Sequence, residues 1–162
     1  MVHQLSGAAN QRLAWEARSP AVASANESGV KAEMTKRKKF LVVDDEPMLV
    51  ELVQAVLERA GYAVVTASDG REALDAIRRE APNAIILDIN MPVIDGFGVL
   101  ERLAADPPPS MPKTLVLTAR MGIGDVEEAM ALGASDYLAK PFSNEVLLRR
   151  VGRLLGEGVR LN

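Results

Sequence analysis

Cysteine is absent from the 162 residues, and aromatic side chains make up only 4% of them. The first absence excludes disulfides and thiolate metal sites, and it fits a reducing compartment. The second leaves any core to be built from Val, Leu, Ile, Ala and Met. The one histidine, His3, sits in an unpatterned N-terminal stretch and is given no role. No apolar run approaches the roughly 20 residues of a membrane span, and the N-terminus lacks the apolar stretch of a secretory signal. A soluble, cytoplasmic protein is expected, with no membrane partner.

What is present suffices for one domain plus an extension. Hydrophobic residues make up 48% of the chain and charged residues 25%, enough for an ordinary core. The charge is uneven. Residues 1–39 hold seven Lys/Arg against three Asp/Glu, a net +4, while residues 40–162 hold twelve against nineteen, a net −7. An acidic folded portion argues against nucleic acid as a direct partner, because phosphate contacts dominate that affinity.

Residues 1–37 read as a flexible extension rich in Ala, Ser, Gly, Asn and Gln. Within it, Gln11–Arg18 could form one or two helical turns around Leu13 and Trp15, too few to stand alone. Met34 directly precedes the patterned region and is a candidate start. The run Lys36–Lys39 reads as a solvated approach to the first strand. Residues 38–156 form the expected domain, and residues 157–162 a C-terminal tail.

From Phe40 onward, short apolar runs alternate with amphipathic segments. Strands are predicted at Phe40–Val43, Tyr62–Thr66, Ala84–Leu87, Thr114–Leu117 and Asp136–Ala139. Helices are predicted at Pro47–Ala60, Arg71–Arg79, Gly96–Ala104, around Asp125–Leu132, and at Asn144–Leu155 with Ser143 as cap. In the first helix, Met48, Leu52, Val53, Val56 and Leu57 form an apolar stripe. Five strand–helix pairs predict an α/β fold: a five-stranded, parallel, doubly wound sheet of the flavodoxin-like kind with helices on both faces. Ligands of such sheets bind beyond the carboxyl ends of the strands, at the topological switch point.

The residues just after the strands carry chemistry. Asp44 and Asp45 follow the first strand and Asp88 the third. Thr118 ends the fourth, and Lys140-Pro141 follows the fifth. Three crowded carboxylates repel one another and call for a hard cation such as Mg²⁺, which takes oxygen ligands and keeps room for a phosphate. A carboxylate could then attack phosphorus, with Lys140 supplying charge and Thr118 a hydroxyl. Singly, each residue is as well read as a cap, a turn or a surface charge. Jointly, their placement after four strands of one sheet is not.

The stretches from Phe40 to Glu46, Asp88 to Gly96, Leu115 to Ala119 and Gly133 to Phe142 resemble the receiver domain of response regulators, the switch of two-component signalling. The match runs from about Lys39 to Leu155. The resemblance implies that Asp88 accepts a phosphoryl group from a histidine kinase or histidine phosphotransfer protein. It implies that Asp44, Asp45, Asp88 and the backbone carbonyl of Asn90 hold Mg²⁺, and that Thr118 and Lys140 contact the phosphoryl group. Tyr137 is implied as an aromatic switch, Lys140–Pro141 as a cis peptide, and the face of the fourth helix, fifth strand and fifth helix as the output surface. Ala119 leaves room for the phosphoryl group, and Asn90 and Arg120 stand where relatives tune dephosphorylation. Gly96 and Pro92 are read as serving turn geometry.

The short stretch after Leu155 suggests a stand-alone, chemotaxis-regulator-like switch rather than an enzyme, with phosphorylation-dependent dimerisation left open. A metal-dependent phosphatase with an aspartyl nucleophile would need a second Asp where Asn90 stands. A nucleotide- or flavin-binding domain would need a glycine-rich loop where Asp44-Asp45-Glu46-Pro47 stands.

Overall fold

The computed structural model of the chain describes residues 37–119 and 122–157, together with Gly29. His3, Gln11–Arg18, Trp15, Met34, Lys36, Arg120 and residues 158–162 lie outside the described residues. The chain divides into two compact units between Arg37 and Lys38.

In the second unit, strands and helices alternate strictly. The strands are β1 (Lys39–Val43), β2 (Ala63–Ala67), β3 (Ala84–Leu87), β4 (Lys113–Thr118) and β5 (Asp136–Ala139). The helices are α1 (Pro47–Arg59), α2 (Gly70–Glu80), α3 (Gly96–Ala105), α4 (Ile123–Ala131) and α5 (Asn144–Leu154). All strand pairs are parallel, in the order β2-β1-β3-β4-β5.

Because successive strand residues point to opposite faces, each strand supplies two cores. Leu41, Val43, Ile85, Leu87 and Val116 pack with Ala73 and Ile77 of α2, Val99 and Leu100 of α3, and Ala129 of α4. Phe40, Val42, Ile86, Leu115 and Leu117 pack with Val53 and Leu57 of α1 and Leu147 and Val151 of α5. The sheet is thus a middle layer, with α2, α3 and α4 on one face and α1 and α5 on the other.

Element ends differ from the sequence expectation by a residue or two, and side-chain caps account for one of the shifts. Helix α2 begins at Gly70 because Asp69 accepts the N–H of Glu72 at 2.8 Å, while Glu72 takes the N–H and hydroxyl of Ser68 at 2.9 and 2.8 Å. Such reciprocal capping is worth about 1 kcal/mol. Strand β2 runs from Ala63 to Ala67 because its register pairs those residues with Lys39 and Val43. Glu157, assigned to the tail by sequence, donates its N–H to Gly152 at 2.8 Å and accepts the Tyr62 hydroxyl at 2.9 Å.

From β1 the chain passes outward to β2 and then back across to β3. The switch point therefore lies beyond the carboxyl ends of β1 and β3, where Asp44 and Asp88 stand.

Candidate functional site

Backbone hydrogen bonds fix each strand end. Asp44 donates its N–H to Ala67 at 3.2 Å, Asp88 to Val43 at 3.0 Å, and Lys140 to Thr118 at 3.0 Å. The side chains that follow are therefore carried on the sheet itself rather than on loose loops. Asp44 and Asp88 are 4% and 5% exposed, Thr118 is fully buried, and Asp45 is exposed.

One carboxylate oxygen from each of Asp44, Asp45 and Asp88 lies within 4.8 Å of the others. Lys140 reaches this group, with Nζ 2.6 Å from Asp44 Oδ2 and 3.6 Å from Asp88 Oδ2. The ammonium therefore pairs first with Asp44. Asp44 Oδ1 also accepts the backbone N–H of Glu46 at 3.0 Å. Asp88 accepts from the Thr118 hydroxyl and the Asn90 backbone N–H. Burial pushes the Asp88 carboxyl above its ordinary range, and the Asp44 charge pushes it further. Lys140, Thr118 and Asn90 offset part of that rise.

Three carboxylates thus face one ammonium. A donor set of oxygen atoms carrying surplus negative charge suits a small divalent cation. The residues fit Mg²⁺.

The loop after Asp88 shows two features that sequence misread or missed. Gly96 was assigned to turn geometry, yet its φ lies outside the left-handed region. The need is closeness: a Cβ there would lie 2.5 Å from the Asp88 carbonyl oxygen and 2.7 Å from Ile89 Cα. The Gly96 N–H also donates to Ile89 at 2.8 Å, so α3 begins directly against the backbone that carries Asp88. Just before it, Ile94 donates to Pro92 at 2.9 Å across Val93, whose φ is +71°. That is the rarer and strained hand of γ-turn.

Tyr137 lies on β5 opposite Val116, with its hydroxyl buried and its ring packed against the core on the α2–α3–α4 face. The Lys140–Pro141 bond is cis. Ala119, beside Thr118, is exposed at the mouth of the site. Of the apolar stripe predicted for α1, Met48 and Leu52 are 82% and 46% exposed, while Val53 and Leu57 are buried. The apolar stripe of α1 is wider than the core beneath it.

A family model described as the response regulator receiver domain matches residues 40–152. The chain belongs to the response-regulator receiver family. Its receiver is 45% identical over 118 residues to the alkaline phosphatase synthesis transcriptional regulatory protein PhoP of Bacillus subtilis, covering 73% of this chain and 48% of PhoP. The chain thus spans about half the length of the curated relatives it matches. Among solved structures, chemotaxis protein CheY4 of Vibrio cholerae superposes with a TM-score of 0.69 at 37% identity, over 74% of this chain and 99% of that one. The receiver domain of sensor histidine kinase PA1611 from Pseudomonas aeruginosa superposes at 0.67 with 32% identity, over 75% and 99%. That structure has a magnesium ion coordinated in its active-site cleft. The flavodoxin-like fold expected from sequence is the fold observed. Among the described residues, no helix is long and apolar enough to cross a membrane.

Proposed function

We propose that this receiver accepts a phosphoryl group on Asp88 from a phosphohistidine and relays that state through protein contacts. The observation that supports it best is the setting of the Asp88 carboxylate. It is buried at the end of the central strand, held by the Thr118 hydroxyl and the Asn90 N–H, with Lys140 at 3.6 Å and two further carboxylates alongside.

In the proposed step an Asp88 oxygen attacks phosphorus. The new O–P bond forms as the P–N bond to the donor imidazole breaks, and the imidazole keeps the electron pair and takes a proton. Mg²⁺ held by Asp44, Asp45, Asp88 and the Asn90 carbonyl would supply positive charge to the phosphoryl oxygens. The Lys140 ammonium, now shared between Asp44 and Asp88, turns to a phosphoryl oxygen. Thr118 redirects its hydroxyl hydrogen bond from the carboxylate to a phosphoryl oxygen. Displacing Thr118 changes the space beside Tyr137, and the two arrangements form a population that phosphorylation shifts. The only reactions assigned are the receiver's own phosphorylation and dephosphorylation; it is not an enzyme acting on other substrates.

The donor is a histidine kinase or a histidine phosphotransfer protein, and the proposed location is the cytoplasm. The exposed pair Met48 and Leu52, on the helix that follows Asp44 and Asp45 in the chain, offers the donor an apolar contact. Output is assigned to the α4–β5–α5 face, toward a downstream protein or a second copy of the chain. PhoP is named a transcriptional regulatory protein. Direct DNA contact is not carried over to this acidic portion.

The test is incubation with acetyl phosphate, with and without Mg²⁺, followed by intact-mass analysis. Wild type should gain one phosphoryl group only with Mg²⁺, and Asp88→Asn should gain none; labelling of Asp88→Asn at the wild-type level sinks the assignment. Met48→Asp with Leu52→Asp should slow transfer from a phosphorylated histidine donor roughly tenfold, about 1.4 kcal/mol, and leave acetyl phosphate labelling unchanged.

A further inference from the structure

Beside the edge strand β5, the sheet and α5 enclose a hollow of about 280 Å³, lined by Lys113, Ser135, Asp136, Arg150, Arg153 and Leu154. Lys113 opens β4, Ser135 directly precedes β5, and Arg150 and Arg153 stand three residues apart on α5. The strands are parallel, so these strand starts lie at the opposite end of the sheet from Asp44, Asp88 and Thr118.

Three cations here face one carboxylate. Asp136 Oδ1 accepts Arg150 Nη1 at 2.8 Å. Lys113 and Arg153 form no ion pair among the described residues. The hollow thus carries two positive charges in surplus, within a stretch, residues 40–162, whose net charge is −7. Its donors are also arranged in advance. The Arg150–Asp136 pair is only 34% and 26% exposed, so the guanidinium is held while its other N–H groups stay uncommitted. The Ser135 oxygen accepts the Thr114 N–H at 3.2 Å, which leaves its own proton to donate. A helix carboxyl end attracts a cation, and that accounts for Arg153 in the last turn of α5. It does not account for Lys113, which a strand brings to the same hollow.

We infer that this hollow binds a phosphate dianion, free or borne by a small organic monoester, at a site separate from Asp88. A phosphate monoester carries nearly two negative charges at neutral pH and three strong acceptor oxygens, which match the surplus charge and the donors. Guanidinium forks take phosphate oxygens in pairs, and an ammonium serves as a point charge. The volume is close to the lower end of small-ligand sites and exceeds what a phosphoryl group alone fills. The inference does not depend on phosphorylation of Asp88.

The test is titration of the ¹⁵N-labelled full chain with inorganic phosphate and, separately, with adenosine monophosphate. A chelator is present and ionic strength is held constant, so the aspartate site stays negative and repels both probes. The Thr114 and Ser135 amide signals should shift and saturate. Tighter binding of adenosine monophosphate assigns the monoester, and equal or tighter binding of inorganic phosphate assigns the free anion. Lys113→Gln and Arg153→Gln should each weaken binding roughly tenfold, and the double variant should lose it. Arg149→Gln removes the same charge from the same helix, at a residue paired with Glu145 at 3.1 Å, and should change affinity less than about twofold. All three side chains are exposed, so the variants should keep the wild-type Tm. Acetyl phosphate labelling with Mg²⁺ should be unchanged in Lys113→Gln and Arg153→Gln.

Shifts that grow without saturating for both probes overturn the inference, as does wild-type affinity in the double variant. Equal weakening by Arg149→Gln overturns it too, because the attraction would then belong to overall charge and not to the hollow. Slower labelling in Lys113→Gln or Arg153→Gln at unchanged Tm would show that the site is not separate from Asp88.

Discussion

At the amino end of the sheet, Glu80 receives the Lys39 ammonium at 3.2 Å and the Arg79 guanidinium at 3.2 Å. Asn83 there closes the edge, accepting the Lys39 N–H at 2.8 Å and the Lys113 N–H at 3.1 Å while donating its own to Lys39 at 2.9 Å. At the carboxyl end, three carboxylates share one ammonium. The hydrogen bond from Lys39 holds the Glu80 carboxyl below its ordinary range, with Arg79 adding to the effect. Burial and Asp44 hold the Asp88 carboxyl above it. One end is satisfied for stability. The other is left short of positive charge, which is the state a site keeps when something else is meant to complete it.

The largest expected break in this contrast is steric. Gly96→Ala puts a methyl group 2.5 Å from the Asp88 carbonyl oxygen, and backbone cannot yield as a flexible side chain can. A loss of about 3 kcal/mol is expected in urea unfolding. In α5, Gly152→Ala meets only the Glu157 carbonyl at 3.6 Å, an ordinary contact, and should gain about 0.5–1 kcal/mol from helix propensity. Equal costs at both positions would remove the claim that α3 starts against the Asp88 backbone for want of space.

Charge gives the next effect. In metal-free protein the native state binds a proton at Asp88 more tightly than the unfolded chain does. Its contribution is therefore full below the unfolded carboxylate pKa and is lost as pH rises through the raised folded value. Glu80 runs the other way: its contribution is present above the unfolded pKa and lost as pH falls through the lowered folded value. Asp88→Asn should raise stability at neutral pH and flatten the fall on the alkaline side of the carboxylate range. Glu80→Gln should lower stability and flatten the fall on the acid side. Thermal unfolding across pH, with a chelator present, separates the two; a stabilising Glu80→Gln or a destabilising Asp88→Asn contradicts the comparison. Adding Mg²⁺ should raise the wild-type Tm and not that of Asp88→Asn to the same extent.

Legibility in the sequence divides along the same line. The alternation of apolar runs with amphipathic segments made the doubly wound fold readable, and strand ends made Asp44, Asp88, Thr118 and Lys140 stand out together. These are properties of local pattern and of topology. What did not read was whatever depends on distance between segments far apart in the chain. The nearer partner of Lys140 is Asp44, 96 residues away, rather than Asp88. Gly96 is needed for a close approach that no spacing encodes. Asp136 looks like an ordinary strand residue until Arg150 of α5 is seen against it. The exposure of Met48 was hidden because periodicity gives the centre of a helix's apolar face but not its edges.

The smallest effect concerns strain. Two described residues other than glycine have left-handed backbone, one at each end of the sheet: Val93 at φ +71°, after Asp88, and Ala81 at φ 44°, ending α2. Left-handed backbone costs an L-residue about 1–2 kcal/mol, and glycine returns part of that gain through its greater unfolded freedom. Val93 is β-branched and 77% exposed, so its side chain recovers little by packing. Val93→Gly should therefore stabilise by about 1 kcal/mol, and Ala81→Gly by about 0.5 kcal/mol. The informative difference lies in the consequences for the site. Ala81 ends a helix far from the carboxylates, and its replacement should leave acetyl phosphate labelling unchanged. Val93 closes the turn between Asp88 and Gly96, so Val93→Gly loosens the loop that presents the Asn90 N–H to Asp88. It should slow labelling even as it raises Tm. Faster unfolding and unchanged labelling in Val93→Gly would mean that the strained turn serves stability alone, and that the two ends of the sheet are less different than their carboxylates suggest.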